Sequence, residues 1–257
     1  MKVLADHVAV ITGASSGIGE AIALELAEQG ATLCLLGRNL ERLRAVIETV
    51  RAMSPRVLSY QVDLTDDEKV RDLTEDLRRD AGSVDILIHS AGVISLGEIK
   101  CAPVKDLDWQ YRTNVRAPYV LTQALLPMLR PLRGQIVFIN SSMGLNVKAN
   151  SGQYAATKHA LKAIADSLRQ EVNAEGLRVL NVFLGRTASA MQASVHEIEG
   201  RPYHPERLMQ PGDVAMVVIN ALSLPWTAEV TDIHIRPFGD VLTAGPVSFA
   251  WNTSPRT

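Results

Sequence analysis

Cysteine is scarce in this chain. Only Cys34 and Cys101 occur among its 257 residues, and they form no CxxC pair. Such a chain offers no disulfide framework and no paired-thiol metal site. Cys34 lies in an apolar strand pattern and reads as a small core residue. A reduced, cytoplasmic protein is the simplest expectation. Long apolar runs are absent too, and no window approaches the roughly 20 residues needed to span a bilayer. The opening Met1-Lys2-Val3-Leu4-Ala5-Asp6-His7 has one Lys, no long apolar stretch and an early negative charge, which argues against a signal peptide. Net charge is −2, so the chain lacks the basic excess that nucleic acid would require. Neither nucleic acid nor membrane is an expected partner. Repeats, linkers and composition breaks are also missing.

What remains is ordinary globular material, with 47% hydrophobic and 21% charged residues. The length is large for one domain but normal for an α/β one. A single domain over 1–257 is expected, with a core over about 5–238. The stretch 239–257 has little periodicity and reads as a loose tail.

Short apolar runs alternate with amphipathic stretches. His7–Thr12 and Ala31–Leu36 read as fully buried strands. Gly17–Gln29 has helical spacing and stops at Gly30. Asn39 reads as the N-cap of a helix running to about Met53, before Pro55. Further strands are predicted at Val57–Val62, Val84–His89, Gln135–Asn140, Leu177–Phe183 and Asp232–Ile235. Further helices are predicted at about 66–80, 106–130, 151–174 and 211–223. Asp66-Asp67-Glu68 would begin the first of these, where acids favour the dipole. This alternation implies parallel strands joined by crossover helices. The fold class is therefore α/β: a Rossmann-type, doubly wound parallel sheet of about seven strands, flanked by helices on both faces. The segment 186–210 fits no regular element well. It follows a strand at the sheet edge where ligands enter, and is the candidate substrate lid.

Thr12-Gly13-Ala14-Ser15-Ser16-Gly17-Ile18-Gly19 joins the first strand to the first helix. Glycines there serve a tight turn, close approach of backbone to a pyrophosphate, and close helix–strand packing. The helix N-terminus then faces the anion with free N–H groups. A dinucleotide is the implied ligand. The second strand ends in Leu36-Gly37-Arg38. A cofactor without a 2′-phosphate usually needs an acidic residue there for its ribose hydroxyls. Gly37 holds that position, and Arg38 can pair with a 2′-phosphate and stack on adenine. NADP(H) is accordingly favoured over NAD(H).

Tyr154 and Lys158 are four residues apart on a predicted helix and share a face. A free phenol has a pKa near 10, too high for an efficient base at neutral pH. A nearby ammonium should favour phenolate and lower that value. Lys158 can also hold the nicotinamide ribose. Ser141 ends the fifth strand thirteen residues before Tyr154, and its hydroxyl can bind and orient a substrate oxygen. Hydroxyl, phenol and ammonium in this order suit proton exchange with an alcohol oxygen while a hydride moves to or from nicotinamide. Ser142 lacks the thirteen-residue separation.

With Thr12 through Gly19, Val62-Asp63-Leu64, Ser90-Ala91-Gly92, Asn114, Ser141 and Tyr154 through Lys158, the chain resembles the short-chain dehydrogenase/reductase family, of the simple one-domain kind. The likeness covers about residues 5–238. It implies that Ser141, Tyr154 and Lys158 are catalytic. It implies that Asn114 helps hold a water linking Lys158 to solvent. Gly13, Ser15, Ser16, Gly17, Ile18 and Gly19 would form the phosphate cradle. Asp63 and Leu64 would border adenine, while Ala91 and Gly92 would lie along the ribose, with Val115 near it. The family usually reads Asn-Asn-Ala-Gly where this chain has His89-Ser90-Ala91-Gly92, and Ser90 can still make a hydrogen bond. Leu184 replaces the family's proline before Gly185. Ser189 stands where a Thr binds the carboxamide, with Thr187 as second choice. Without the proline's fixed φ this loop should be less rigid.

The resemblance also implies a homodimer or homotetramer, with the helices near 106–130 and 151–174 pairing across a two-fold axis. Their aliphatic residues Val120, Leu121, Leu125, Leu161, Ile164 and Leu168 suit that interface and suit the core equally. Trp109 and Tyr111 read as packing or interface residues. His196-Glu197-Ile198-Glu199 is no HExxH motif and reads as the polar face of a helix; no metal is expected. Gln170 stands where 3-oxoacyl carrier-protein reductases usually have Arg, which lowers that alternative. A cofactor-binding regulator without turnover is the rival of another class. The expected substrate is a small-molecule carbonyl or alcohol.

Overall fold

The computed structural model describes residues 2–238. The expected tail, 239–257, lies outside the described residues. Among the described residues seven strands form one sheet: β1 (Val8–Thr12), β2 (Thr32–Gly37), β3 (Val57–Gln61), β4 (Ile86–His89), β5 (Gln135–Ser141), β6 (Arg178–Leu184) and β7 (Asp232–Ile235). Their order is β3-β2-β1-β4-β5-β6-β7, and every pair is parallel. The order reverses between β1 and β4. In open α/β sheets ligands bind in the crevice that such a reversal leaves at the strands' C-terminal ends.

Both faces of the sheet are covered. Alternate residues of a strand point to opposite faces, so Ala9, Ile11, Leu33 and Leu35 pack on one side. There they meet α1 (Gly17–Glu28), α2 (Leu40–Val50) and α8 (Pro211–Leu222). Val10, Cys34 and Leu36 point the other way. They meet α3 (Asp67–Asp80), α5 (Ala117–Leu129) and α6 (Gly152–Val172). Cys34 is fully buried, as its apolar neighbours predict, and Leu121, Leu125, Leu161 and Leu168 fill the same core. Asn39 caps α2 by accepting from the Arg42 N–H, and Asp66 caps α3 through Glu68 and Lys69.

Three elements differ from expectation. β4 begins at Ile86, two residues late, although Asp85 still donates its N–H to the Val8 carbonyl at 2.9 Å and accepts from the Gln135 N–H at 2.8 Å, while its carboxylate accepts from the Val8 N–H at 2.8 Å. The single helix expected near 106–130 is α4 (Val104–Tyr111), a π-turn at Arg112–Arg116, and α5. The irregular lid expected over 186–210 contains a helix, α7 (Ala190–Ile198), and a 3₁₀ turn at Pro205–Arg207. Ser189 nucleates α7 by accepting the Gln192 N–H. Among the described residues no helix is long and apolar enough to cross a membrane.

Candidate active site

A cavity of about 440 Å³ opens at the C-terminal ends of β1, β2 and β4. Gly13, Ser15, Ser16, Gly17 and Ile18 form its floor. Gly19 is buried behind them, pressed against Gly13 where α1 leaves β1. A Cβ on Gly19 would stand 2.4 Å from the Gly13 carbonyl oxygen, so only glycine lets strand and helix meet this closely. Arg38, Asp63 and Leu64 wall one end, joined by Arg42. Asp63 accepts from the Thr65 N–H and hydroxyl, and these bonds, more than Arg38, hold its carboxyl below the usual range. Ser90, Ala91 and Gly92 form the side wall. Ser189, Ala190 and Met191 close the far side.

Thr12 secures that wall. Its hydroxyl accepts from the Ser90 and Ala91 N–H groups, both at 3.0 Å, and donates to the Ile88 carbonyl. From sequence it is named only as the first residue of the cradle motif, although a Thr ending a buried strand was a visible signal for this further role. Val115 was expected beside the ribose, yet it is 2% exposed and off the cavity wall. The π-turn rotates it inward and presents Thr113, with Ala117 and Pro118 of α5, to the cavity instead.

The same π-turn aims Asn114 inward. Its Oδ1 accepts from the Val93 N–H at 2.8 Å, and its Nδ2 donates to the Val93 carbonyl and the Thr157 hydroxyl. Asn114 thus ties the β4 loop to α6, which carries Tyr154 and Lys158. Those two face the end of β5, and Lys158 Nζ lies 5.8 Å from the Tyr154 ring centre. Ser141 lies close enough to the Tyr154 phenol to favour its charged form. Asn140, also unremarked in the sequence, accepts from the Ser141 N–H at 2.8 Å and donates to the Lys158 carbonyl. One amide therefore sets serine and lysine relative to each other. A Cβ on Gly92 would lie 3.9 Å from Lys158 Nζ, so the ammonium stands beside the cavity wall. The trio itself, with Gly185 and Thr187, lies beyond that wall. Leu184, next to Gly185, pairs with Ser141 in the sheet.

The electrostatics reverse one expectation. Lys158 was expected to lower the Tyr154 phenol, yet the phenol is pushed up to about 12 by burial, which the Ser141 hydrogen bond only partly opposes. Tyr154 is 8% exposed and Lys158 5%. The ammonium is turned onto the Ile139 carbonyl at 3.1 Å. Burial lowers Lys158 itself from 10.5 to about 8. The linkage sign follows: between these values the unfolded chain binds more protons than the folded one, so this group's contribution to stability rises with pH. Below about 8 the buried charge costs its full amount, on the order of 3 kcal/mol. Lys158→Met carries no charge, so its melting temperature relative to wild type should fall between about pH 8 and 10.5 and stay level below that. Thermal melts at matched pH measure this, and a flat difference would contradict it.

His196 was expected on a polar helix face but is buried. Its Nδ1 donates to the Gln192 carbonyl at 2.8 Å, leaving Nε2 to accept from Arg186. Glu199 binds the same Arg186 through both carboxylate oxygens at 2.7 Å. Among the described residues no group of three or more His, Cys, Asp or Glu is placed to hold a metal.

With this geometry in view, the relatives are informative. The family model for short chain dehydrogenase matches residues 7–200. An uncharacterized oxidoreductase of Staphylococcus aureus strain USA300 is 35% identical over 238 residues, covering 92% of this chain and all of that protein. A short chain dehydrogenase from Shigella flexneri, solved with NADP, superposes with a TM-score of 0.84 at 31% identity, over 91% of this chain and 98% of that one. An alcohol dehydrogenase from Thermococcus sibiricus, complexed with 5-hydroxy-NADP, gives a TM-score of 0.83 at 26% identity, over 90% and 97%. The chain belongs to the short-chain dehydrogenase family. It is an oxidoreductase of Rossmann fold.

Proposed function

We propose that the protein is an NADP(H)-preferring oxidoreductase that exchanges a hydride between nicotinamide and an alcohol or carbonyl substrate, with Tyr154 as general acid/base. The observation that carries this reading is the buried Tyr154 phenol, beside Ser141 and flanked by an ammonium at the edge of a glycine-floored cavity. The residues present fit a dinucleotide. The cavity lies within the range of ligand sites. The Thr113 hydroxyl on its wall is buried with no partner among the described residues, a polar atom that a ligand could satisfy. When bound, the cofactor supplies or accepts the hydride.

The chain's own groups do the rest. Tyr154 is protonated at neutral pH in this structure, the form required of an acid that gives a proton to a carbonyl oxygen. Ser141 steadies that oxygen. Lys158 binds the ribose and, once engaged there, tunes the phenol. Asn114 maintains the path that reloads Tyr154; both Nδ2 protons are already committed, leaving the second lone pair of Oδ1 on that side chain. Ala190 and Met191 of α7 line the far side of the cavity, where the helix would limit entry of solvent. The NADP complexes of the Shigella and Thermococcus relatives support the choice of cofactor. Assembly as a homodimer or homotetramer is supported by Trp109, Tyr111 and Tyr119, each more than 40% exposed on α4 and α5.

Arg38 and Arg42 are both exposed at the end that would hold the 2′-phosphate. A hydrogen bond to a charged group contributes about 1.5–3 kcal/mol. Arg38→Ala should therefore weaken NADPH binding about 10-fold or more and leave NADH nearly unchanged. Fluorescence titration with both cofactors measures this, and equal losses would remove the case for NADP(H). The activity itself is tested by following NADPH oxidation across a carbonyl library, with NADH in parallel. Cofactor binding with no turnover on any carbonyl would point to a regulator instead.

A further inference from the structure

After β6 the chain reaches Ser189, forms α7 and returns through Tyr203. One phenol ties the two ends of this excursion together. The Tyr203 hydroxyl accepts the Ser189 N–H at 3.1 Å and donates to the Ser189 carbonyl at 3.3 Å. Both main-chain groups of one residue are thereby held by one oxygen. The Tyr203 ring is itself braced, edge-on to His196 with 5.3 Å between ring centres. His196 is fixed by Gln192 and Arg186, and Arg186 by Glu199. This bracing chain explains the buried His196 and the half-buried Arg186–Glu199 pair, neither of which the hydride chemistry uses.

Ser189 is where this rigidity is delivered. It lines the cavity, and its Cβ would be 3.8 Å from a Cβ on Gly17, directly across from the phosphate loop. It follows Leu184, which is registered against Ser141. Arg38 and Asp63 follow the C-terminal ends of β2 and β3, on the other side of the sheet's reversal. Ser189 therefore serves the end of the cavity nearest the Ser141–Tyr154 pair. Its hydroxyl already donates to the Thr187 carbonyl and accepts the Gln192 N–H, so its direction is set by main-chain position alone. We propose that Tyr203 is a positioning residue for the nicotinamide end of the cofactor, holding Ser189 against the site through that residue's main chain. This rests on the NADP(H) reading above.

The test uses the full chain with two probes, NADPH and adenosine 2′,5′-bisphosphate, which lacks nicotinamide. Tyr203→Phe keeps the ring on His196 and removes only the hydroxyl. The variant should bind NADPH about fivefold or more weakly, the scale of losing a hydrogen bond to main chain, and bind the bisphosphate as wild type does. The fluorescence enhancement of bound dihydronicotinamide should fall in parallel. Equal weakening of both probes, or of neither, would overturn the assignment. A wild-type protein that binds neither probe would instead overturn the cofactor reading, and this assignment with it.

Discussion

Tyr154→Phe should bind NADPH as wild type does and turn over about 100-fold or more slowly, the usual scale for losing a general acid or base. The substitution removes one oxygen and keeps the ring that α6 packs beside β5. The lost atom is the one beside Ser141. Ser141 keeps the bond in which its hydroxyl accepts the Met143 N–H, so the strand end stays ordered. Lys158 keeps the Ile139 carbonyl. Cofactor-binding groups on the cavity wall are untouched, which is why affinity and rate should separate. Single-turnover rates alongside NADPH titration would measure both. Near-normal turnover would refute the proposed role of the phenol.

Gly19→Ala should cost more than any other single methyl in the cradle. The added carbon would lie 2.4 Å from the Gly13 oxygen and 2.8 Å from its carbonyl carbon. Both contacts are backbone, so no side chain can swing away. Relief requires α1 to move off β1, which displaces the loop that floors the cavity. Overpacking of this kind costs roughly 1–3 kcal/mol of stability, and NADPH affinity should fall at least about 10-fold with the loop. Gly17→Ala is the instructive comparison. Its φ of +61° makes any side chain strained, but the space around it is open, with nothing nearer than 3.8 Å. Gly17→Ala should therefore lose less melting temperature than Gly19→Ala. The reverse order would show that backbone conformation, and not contact, sets the cradle's tolerance.

The sheet was legible because strands buried on both faces appear as unbroken apolar runs, and helices between them carry their own stops and caps. Asn39 and Asp66 announced α2 and α3 at the residue that caps each. The cradle was legible because its glycines sit where strand becomes helix. The Ser141, Tyr154 and Lys158 spacing was legible for a similar reason: a strand end and one helical turn fix their distances. Other features depend on neighbours distant in sequence. The Tyr154 phenol rises because water is excluded by packing, and no spacing of residues reports that. Asn140 looks like one more residue in a buried strand until its amide is seen between Ser141 and Lys158. Ser189 was read for its side chain alone, and its second role as the N-cap of α7 passed unnoticed. Tyr203 had no signal near it, since its partner is fourteen residues away across a helix.

The five residues Arg112–Arg116 carry a widened helical turn between α4 and α5. Each residue of a regular helix advances the winding by about 100°. Deleting one residue there would rewind the helix to its ordinary pitch and swing Asn114 away from Val93 and Thr157. Residue count in this stretch is thus part of the site's geometry: conservative exchanges can be absorbed, whereas a single-codon loss would misalign the loop after β4 and α6 at once.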